Sequence, residues 1–178
     1  MPEPAPATPL PTLDDVLDAM GGTDRDNPLH VVVAEMLPLD KQRFLAIGTL
    51  IDHLPSDADS LVDAAYRLAA VMSERRRCVR AIDRHIAETV RLDPLPEAPQ
   101  AEYTTGEFVA AITYAALVGS AQRDAGRDFG GGARLASLYR AYDTFRDELT
   151  SGATRLPRRA SAAEREMESK GQVYERNS

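Results

Sequence analysis

A chain of 178 residues, 43% of them hydrophobic, can bury one core, but without tryptophan and with only 6% aromatics that core must be mostly Ala, Leu, Ile and Val, as in close-packed helices. The net charge of −7 argues against a dedicated nucleic-acid binder. The lone Cys78 rules out an internal disulfide, no apolar run approaches the roughly 18 residues of a membrane span, and the N-terminus lacks the basic and apolar regions of a signal peptide, so we expect a cytoplasmic protein with no membrane partner.

Residues 1–11, rich in proline and alanine, read as a disordered tail. Thr12 caps a short helix, with Asp14 and Asp15 in its first turn and Gly21-Gly22 at its end; Leu13, Val16, Leu17 and Met20 form its apolar stripe. Asn27-Pro28 predicts a second start. Pro38 should interrupt that helix, with a further segment from about Asp40 to Leu54 burying Phe44, Ile47, Ile51 and Leu54 and ending at Pro55.

The clearest periodicity runs from Ser56 to Leu92. With Leu61 at heptad position a, the a series is Leu61, Leu68, Arg75, Ile82 and Thr89. Position d reads Ala64, Val71, Cys78, His85 and Leu92, and position e Ala65, Met72, Val79 and Ile86. This three-in-seven face predicts a core-facing helix about 50 Å long.

Asp93–Gln100, with three prolines, is a loop. Thr104 or Thr105 caps the next helix, which runs to about Ala125 with Glu107 in its first turn and buries Phe108, Ala111, Ile112, Ala115 and Gly119. A break at Asp128–Gly132 precedes a helix over Ala133–Ser151, with Leu135, Leu138, Tyr139, Tyr142, Phe145 and Leu149 on one side and Gly152 as terminator. Residues 12–151 thus form a helical bundle domain, and 152–178 a basic linker (Arg155–Arg159) followed by a polar helix with a capping box at Ser161 and Glu164.

The polar residues on the long helix's apolar face are the candidate site. Arg75 must be paired, reach outwards or line a cavity. An intramolecular ion pair is the expected answer, with Glu35, Asp52, Glu107 and Asp143 as partners, and recognition of an anionic ligand the alternative. His85, between Ile82 and Ile86, is either a general base or ligand in the core or a histidine bonded to a neighbouring helix. Arg76, Arg77, Arg80, Arg84 and Arg91 form a basic stripe interleaved with Glu74, Asp83 and Glu88 and without aromatics for base stacking, so it reads as a solvated face.

Arg80-Ala-Ile-Asp-Arg-His85 resembles the arginine–four–histidine motif of HEPN ribonucleases. That resemblance implies an all-α fold with Arg80 and His85 acting together on an RNA phosphodiester. Ala81 departs from the polar residue usual after the arginine. Five residues also place the two side chains about 140° apart on a regular helix, so they converge only through distortion or across two chains.

No Glu-x-x-His pair, Walker A loop, Rossmann glycine pattern, zinc-ligand set or local triad signature is present, so neither a cofactor nor a metal is expected. The expected fold is an all-α antiparallel bundle with one long central helix and flexible termini. The expected function is non-catalytic association, helix to helix, with a protein partner or a second copy. The alternative is an enzyme or small-ligand binder using Arg75 and His85, most concretely the HEPN-like one with Arg80.

Overall fold

The computed structural model describes residues 8–22, 24–52, 58–126 and 130–157. Among these residues the chain forms five helices and no strand: α1 (Leu13–Gly21), α2 (Pro28–Asp52), α3 (Ala58–Thr89), α4 (Thr105–Asp124) and α5 (Gly131–Thr150). The protein is an all-α bundle.

Local chemistry sets three of the five helix starts. The Thr12 hydroxyl accepts the Asp15 N–H at 3.1 Å while the Asp15 carboxylate accepts the Thr12 N–H at 2.7 Å, which opens α1. Thr104 and Glu107 close the same box on α4, at 3.2 and 2.7 Å. Asn27 Oδ1 accepts the Leu29 N–H at 3.0 Å at the start of α2. On α1, Val16 and Ala19 are buried, while Leu17, assigned to the stripe, lies at its edge and is exposed.

Pro38 does not break the chain. α2 runs through it for 25 residues. A proline inside a helix removes the N–H that would bond the carbonyl four residues back, and its ring crowds that carbonyl, at about 3 kcal/mol. Here Pro38 and Ala34 are both exposed, so the disrupted turn lies on the solvent side of α2. The opposite side carries Leu29, Val33, Met36 and Asp40, all buried. That line keeps helical period across the proline, and its burial outweighs the local penalty. The segment expected to be buried further on is not: Phe44 and Ile47 are half-buried, Ile51 is exposed, and Leu54 lies outside the described residues.

α3 is the long helix, 32 residues or about 48 Å. It buries Ala64, Val71, Cys78, Val79, Ile82 and Ile86. α4 docks on it through a close approach at Gly106, whose N–H donates to Asp83 Oδ1 at 2.7 Å. α5 completes the core with Tyr142, Phe145 and Leu149. Phe108 packs against Phe145 and Tyr142 with ring centroids 4.7 and 5.8 Å apart.

The segments 8–12 and 152–157, on either side of the helices, are tied down further than their composition suggests. Thr8 donates its N–H to the Thr89 carbonyl at 3.3 Å, Leu10 is buried, and the Tyr142 hydroxyl donates to the Pro11 carbonyl at 2.8 Å. The segment from Thr8 to Thr12 is therefore part of the fold instead of a free tail. After α5, Gly152 takes φ 75° and sits where a Cβ would lie 2.6 Å from the Asp93 carbonyl oxygen, so only glycine fits. Its own carbonyl accepts the Leu95 N–H at 2.9 Å. Arg155, expected to open a basic linker, holds the 93–101 loop: its guanidinium donates to the carbonyls of Ala98 and Pro96 at 2.5 and 2.8 Å, and its backbone bridges Gln100. The expected helix around Ser161 lies outside the described residues.

Cys78 is buried in the core, where desolvation, reinforced by the charge of Glu35, pushes its thiol up from the ordinary value. Only the thiolate is nucleophilic. A disulfide reagent at neutral pH should therefore label the native protein at least about tenfold more slowly than the urea-unfolded chain. Equal rates would show that the site is open to solvent.

Candidate functional site

The site grows out of one buried acid. Asp40 is fully buried on α2, opposite α3 and α4. Its Oδ1 accepts the Arg75 Nε–H at 2.7 Å, and its Oδ2 accepts the Thr113 hydroxyl at 2.9 Å. Arg75 also donates from Nη2 to the Ala110 carbonyl. The ion pair expected for Arg75 thus exists, but its partner is Asp40, not one of the acids Glu35, Asp52, Glu107 or Asp143. Three helices meet on this carboxylate, each supplying one group, so the pair fixes the register of α2, α3 and α4.

Asp40 had a signal in the sequence. It lies four residues after Met36 and seven after Val33, on the same helical face. Reading Pro38 as a break hid that periodicity.

Outwards from this pair lies an open cleft of about 420 Å³ between α2, α3, α4 and α5. Four arginines line it, Arg43, Arg75, Arg76 and Arg134, against one carboxylate, that of Glu107. Glu107 already accepts the Thr104 N–H in the α4 capping box. Arg43 lies over the Tyr114 ring with its guanidinium carbon 4.0 Å from the centroid. Among the described residues, Arg43, Arg76 and Arg134 have no acidic partner within salt-bridge distance. The remaining wall is apolar and aromatic, with Val79, Leu138 and the half-exposed Tyr103.

His85 and Arg80 do not line this cleft. His85 is half-buried ten residues further along α3, about 15 Å by helical rise. Arg80 is exposed, and uninterrupted helix joins the two, so within one chain they diverge by about 140°. The other arginines of the stripe, Arg77, Arg84 and Arg91, are exposed as well, and Arg77 pairs with Glu74 at 2.8 Å. Among the described residues no group of three His, Cys, Asp or Glu side chains could hold a metal ion, and no helix is long and apolar enough to cross a membrane.

A second surface is apolar. No described side chain between Lys41 and Asp63 is buried, although this end of the α2–α3 hairpin carries Phe44, Leu45, Ile47, Leu50, Ile51, Leu61 and Val62. Leu45, Ile51, Val62 and Tyr66 are 52–73% exposed, and a groove of about 400 Å³ runs between the helices over Ala46, Ala64, Ala70 and Val71. Sequence periodicity assigned Phe44, Ile47, Ile51 and Leu61 to the core, and nothing in it distinguished a covered face from an uncovered one.

Compared with protein-family models, curated proteins and solved structures, the chain matches none.

Proposed function

We propose that this is a non-catalytic interaction protein of the cytoplasm that associates helix to helix, using the outer part of the α2–α3 hairpin to pair with a second copy of itself. The observation behind this reading is the unburied apolar stretch from Lys41 to Asp63, together with exposed Tyr66. Two antiparallel helices form one layer and cannot cover both of their apolar sides. A second hairpin laid across the first closes a four-helix arrangement, the smallest that buries such a layer. A two-fold pairing needs only self-complementarity. The small residues Ala46, Gly48, Ala64 and Ala70 leave room for the large side chains of an identical partner.

Light scattering on the full chain tests the proposal. The expected result is a dimer across the micromolar range, converted to monomer by Leu45→Glu with Tyr66→Glu. Both positions are exposed, so the double variant should keep its helical circular dichroism and melting temperature in the monomeric state. A wild-type chain that stays monomeric throughout that range would remove the second copy as the partner. The ligand-binding alternative has one observation in its favour, the arginine cleft.

A further inference from the structure

We propose that the cleft between α2 and α5 binds a small organic phosphate with a planar ring, of the size and chemistry of a mononucleotide. Charge is the first argument. The chain carries a net −7, yet four guanidiniums converge here on one carboxylate, and that carboxylate is engaged by a helix cap. Like charges held together between low-dielectric walls repel one another, and a bound anion relieves that repulsion. Asp40 balances Arg75 from below, which leaves Arg43, Arg76 and Arg134, on three different helices, to face the opening.

Positioning is the second argument. Arg75 is locked at Nε and Nη2 by Asp40 and the Ala110 carbonyl, and Arg43 is laid on the Tyr114 ring. Arg75 thus fixes the floor of the cleft, and the Arg43 guanidinium is oriented before any ligand arrives, which lowers the entropy cost of binding. Planar guanidinium forks match the oxygens of a phosphate.

Shape is the third argument. The volume of about 420 Å³ falls within the range of small-molecule sites, roughly 300–1,000 Å³. Between the arginines the lining is apolar and aromatic, and it includes Tyr103, half-exposed and set edge-on against Phe108 at 5.7 Å between centroids. A ligand with a dianionic head and a flat, weakly polar body meets both halves. A polynucleotide fits less well, because the basic groups surround a concavity on an otherwise acidic chain instead of following a track.

Isothermal titration of the full chain with the four common ribonucleoside 5′-monophosphates tests this, with inorganic phosphate, adenosine and a single-stranded RNA decamer as comparisons. At least one mononucleotide should bind at least tenfold more tightly than inorganic phosphate or adenosine. Arg76→Gln and Arg134→Gln, both at exposed positions, should each weaken that binding at least tenfold without moving the melting temperature of the free protein. Three results would overturn the assignment: no binding by any mononucleotide at millimolar concentration, inorganic phosphate or adenosine binding as tightly, or affinity unchanged in both variants. Tighter binding of the RNA decamer than of every mononucleotide would likewise replace the small molecule with a nucleic acid. None of these outcomes depends on whether the hairpin dimerises, since Leu45 and Tyr66 do not line the cleft.

Discussion

Replacing Arg75 with methionine should lower the stability of the fold by about 3–5 kcal/mol, the range for breaking one side of a buried ion pair. Asp40 is fully buried and the Arg75 side chain is only 13% exposed. Once the guanidinium is gone, the buried carboxylate keeps a single side-chain donor, the Thr113 hydroxyl, and its charge is left without a counter-charge. For a chain of this size each kcal/mol corresponds to roughly 2–4 °C, so the melting temperature should fall by about 6–20 °C. The companion experiment is the double variant Arg75→Met with Asp40→Leu. Without the acid there is no stranded charge, and the Thr113 hydroxyl can turn to the Ala110 carbonyl, 3.1 Å away. Most of the lost stability should therefore return. Urea unfolding of the two single variants and the double measures the coupling directly. Loss of less than about 1 kcal/mol in the Arg75→Met variant would mean that the pair is solvated and does not hold the three helices together.

Gly106→Ala carries the second large effect, and its sign is diagnostic. Helix propensity alone predicts a gain of up to about 1 kcal/mol for alanine over glycine inside a helix. The packing predicts the reverse. A Cβ on Gly106 would stand 2.5 Å from the Val79 carbonyl oxygen and 2.8 Å from Asp83 Oδ1. The first of these atoms belongs to the backbone of α3 and cannot rotate away. α4 must retreat from α3, which also breaks the 2.7 Å bond from the Gly106 N–H to Asp83. Overpacking of this kind costs typically about 1–3 kcal/mol, and loss of a hydrogen bond to a charged group about 1.5–3 kcal/mol. We expect a net loss of about 2–3 kcal/mol by thermal or urea unfolding. Because Asp83 supplies the second clashing atom and the hydrogen bond that is lost, the glycine substitution should cost less in an Asp83→Ala background, the clash with the Val79 carbonyl remaining. A stabilised Gly106→Ala variant would show that the two helices stand further apart.

The two predictions share a feature: each depends on atoms that lie far apart along the chain. Asp40 and Arg75 are separated by 35 residues, Asp83 and Gly106 by 23. Arg75 was visible as a charge on an apolar face, but its partner was not. Choosing among the acids required the rotation of α2 about its own axis, and Pro38 obscured even the fact that α2 was one helix. The cleft was less legible still. Arg43, Arg76 and Arg134 have no common period and no motif, and they come to line one cleft only when α4 packs on α2 and α3 and α5 packs on α4.

What the amino-acid order determined without help was everything decided within about one helical turn. Thr12 with Asp15, Thr104 with Glu107, Asn27-Pro28 and the glycine at 152 set helix ends because caps act over three or four residues. The period of the Leu61–Ile86 stretch announced a long helix for the same reason. The tertiary structure alone decided which apolar faces are covered, which acid answers Arg75, and that the 8–12 and 152–157 segments belong to the fold. Burial is a property of neighbouring elements, so a stripe such as Phe44, Ile47 and Ile51 reads identically whether it faces a core or solvent.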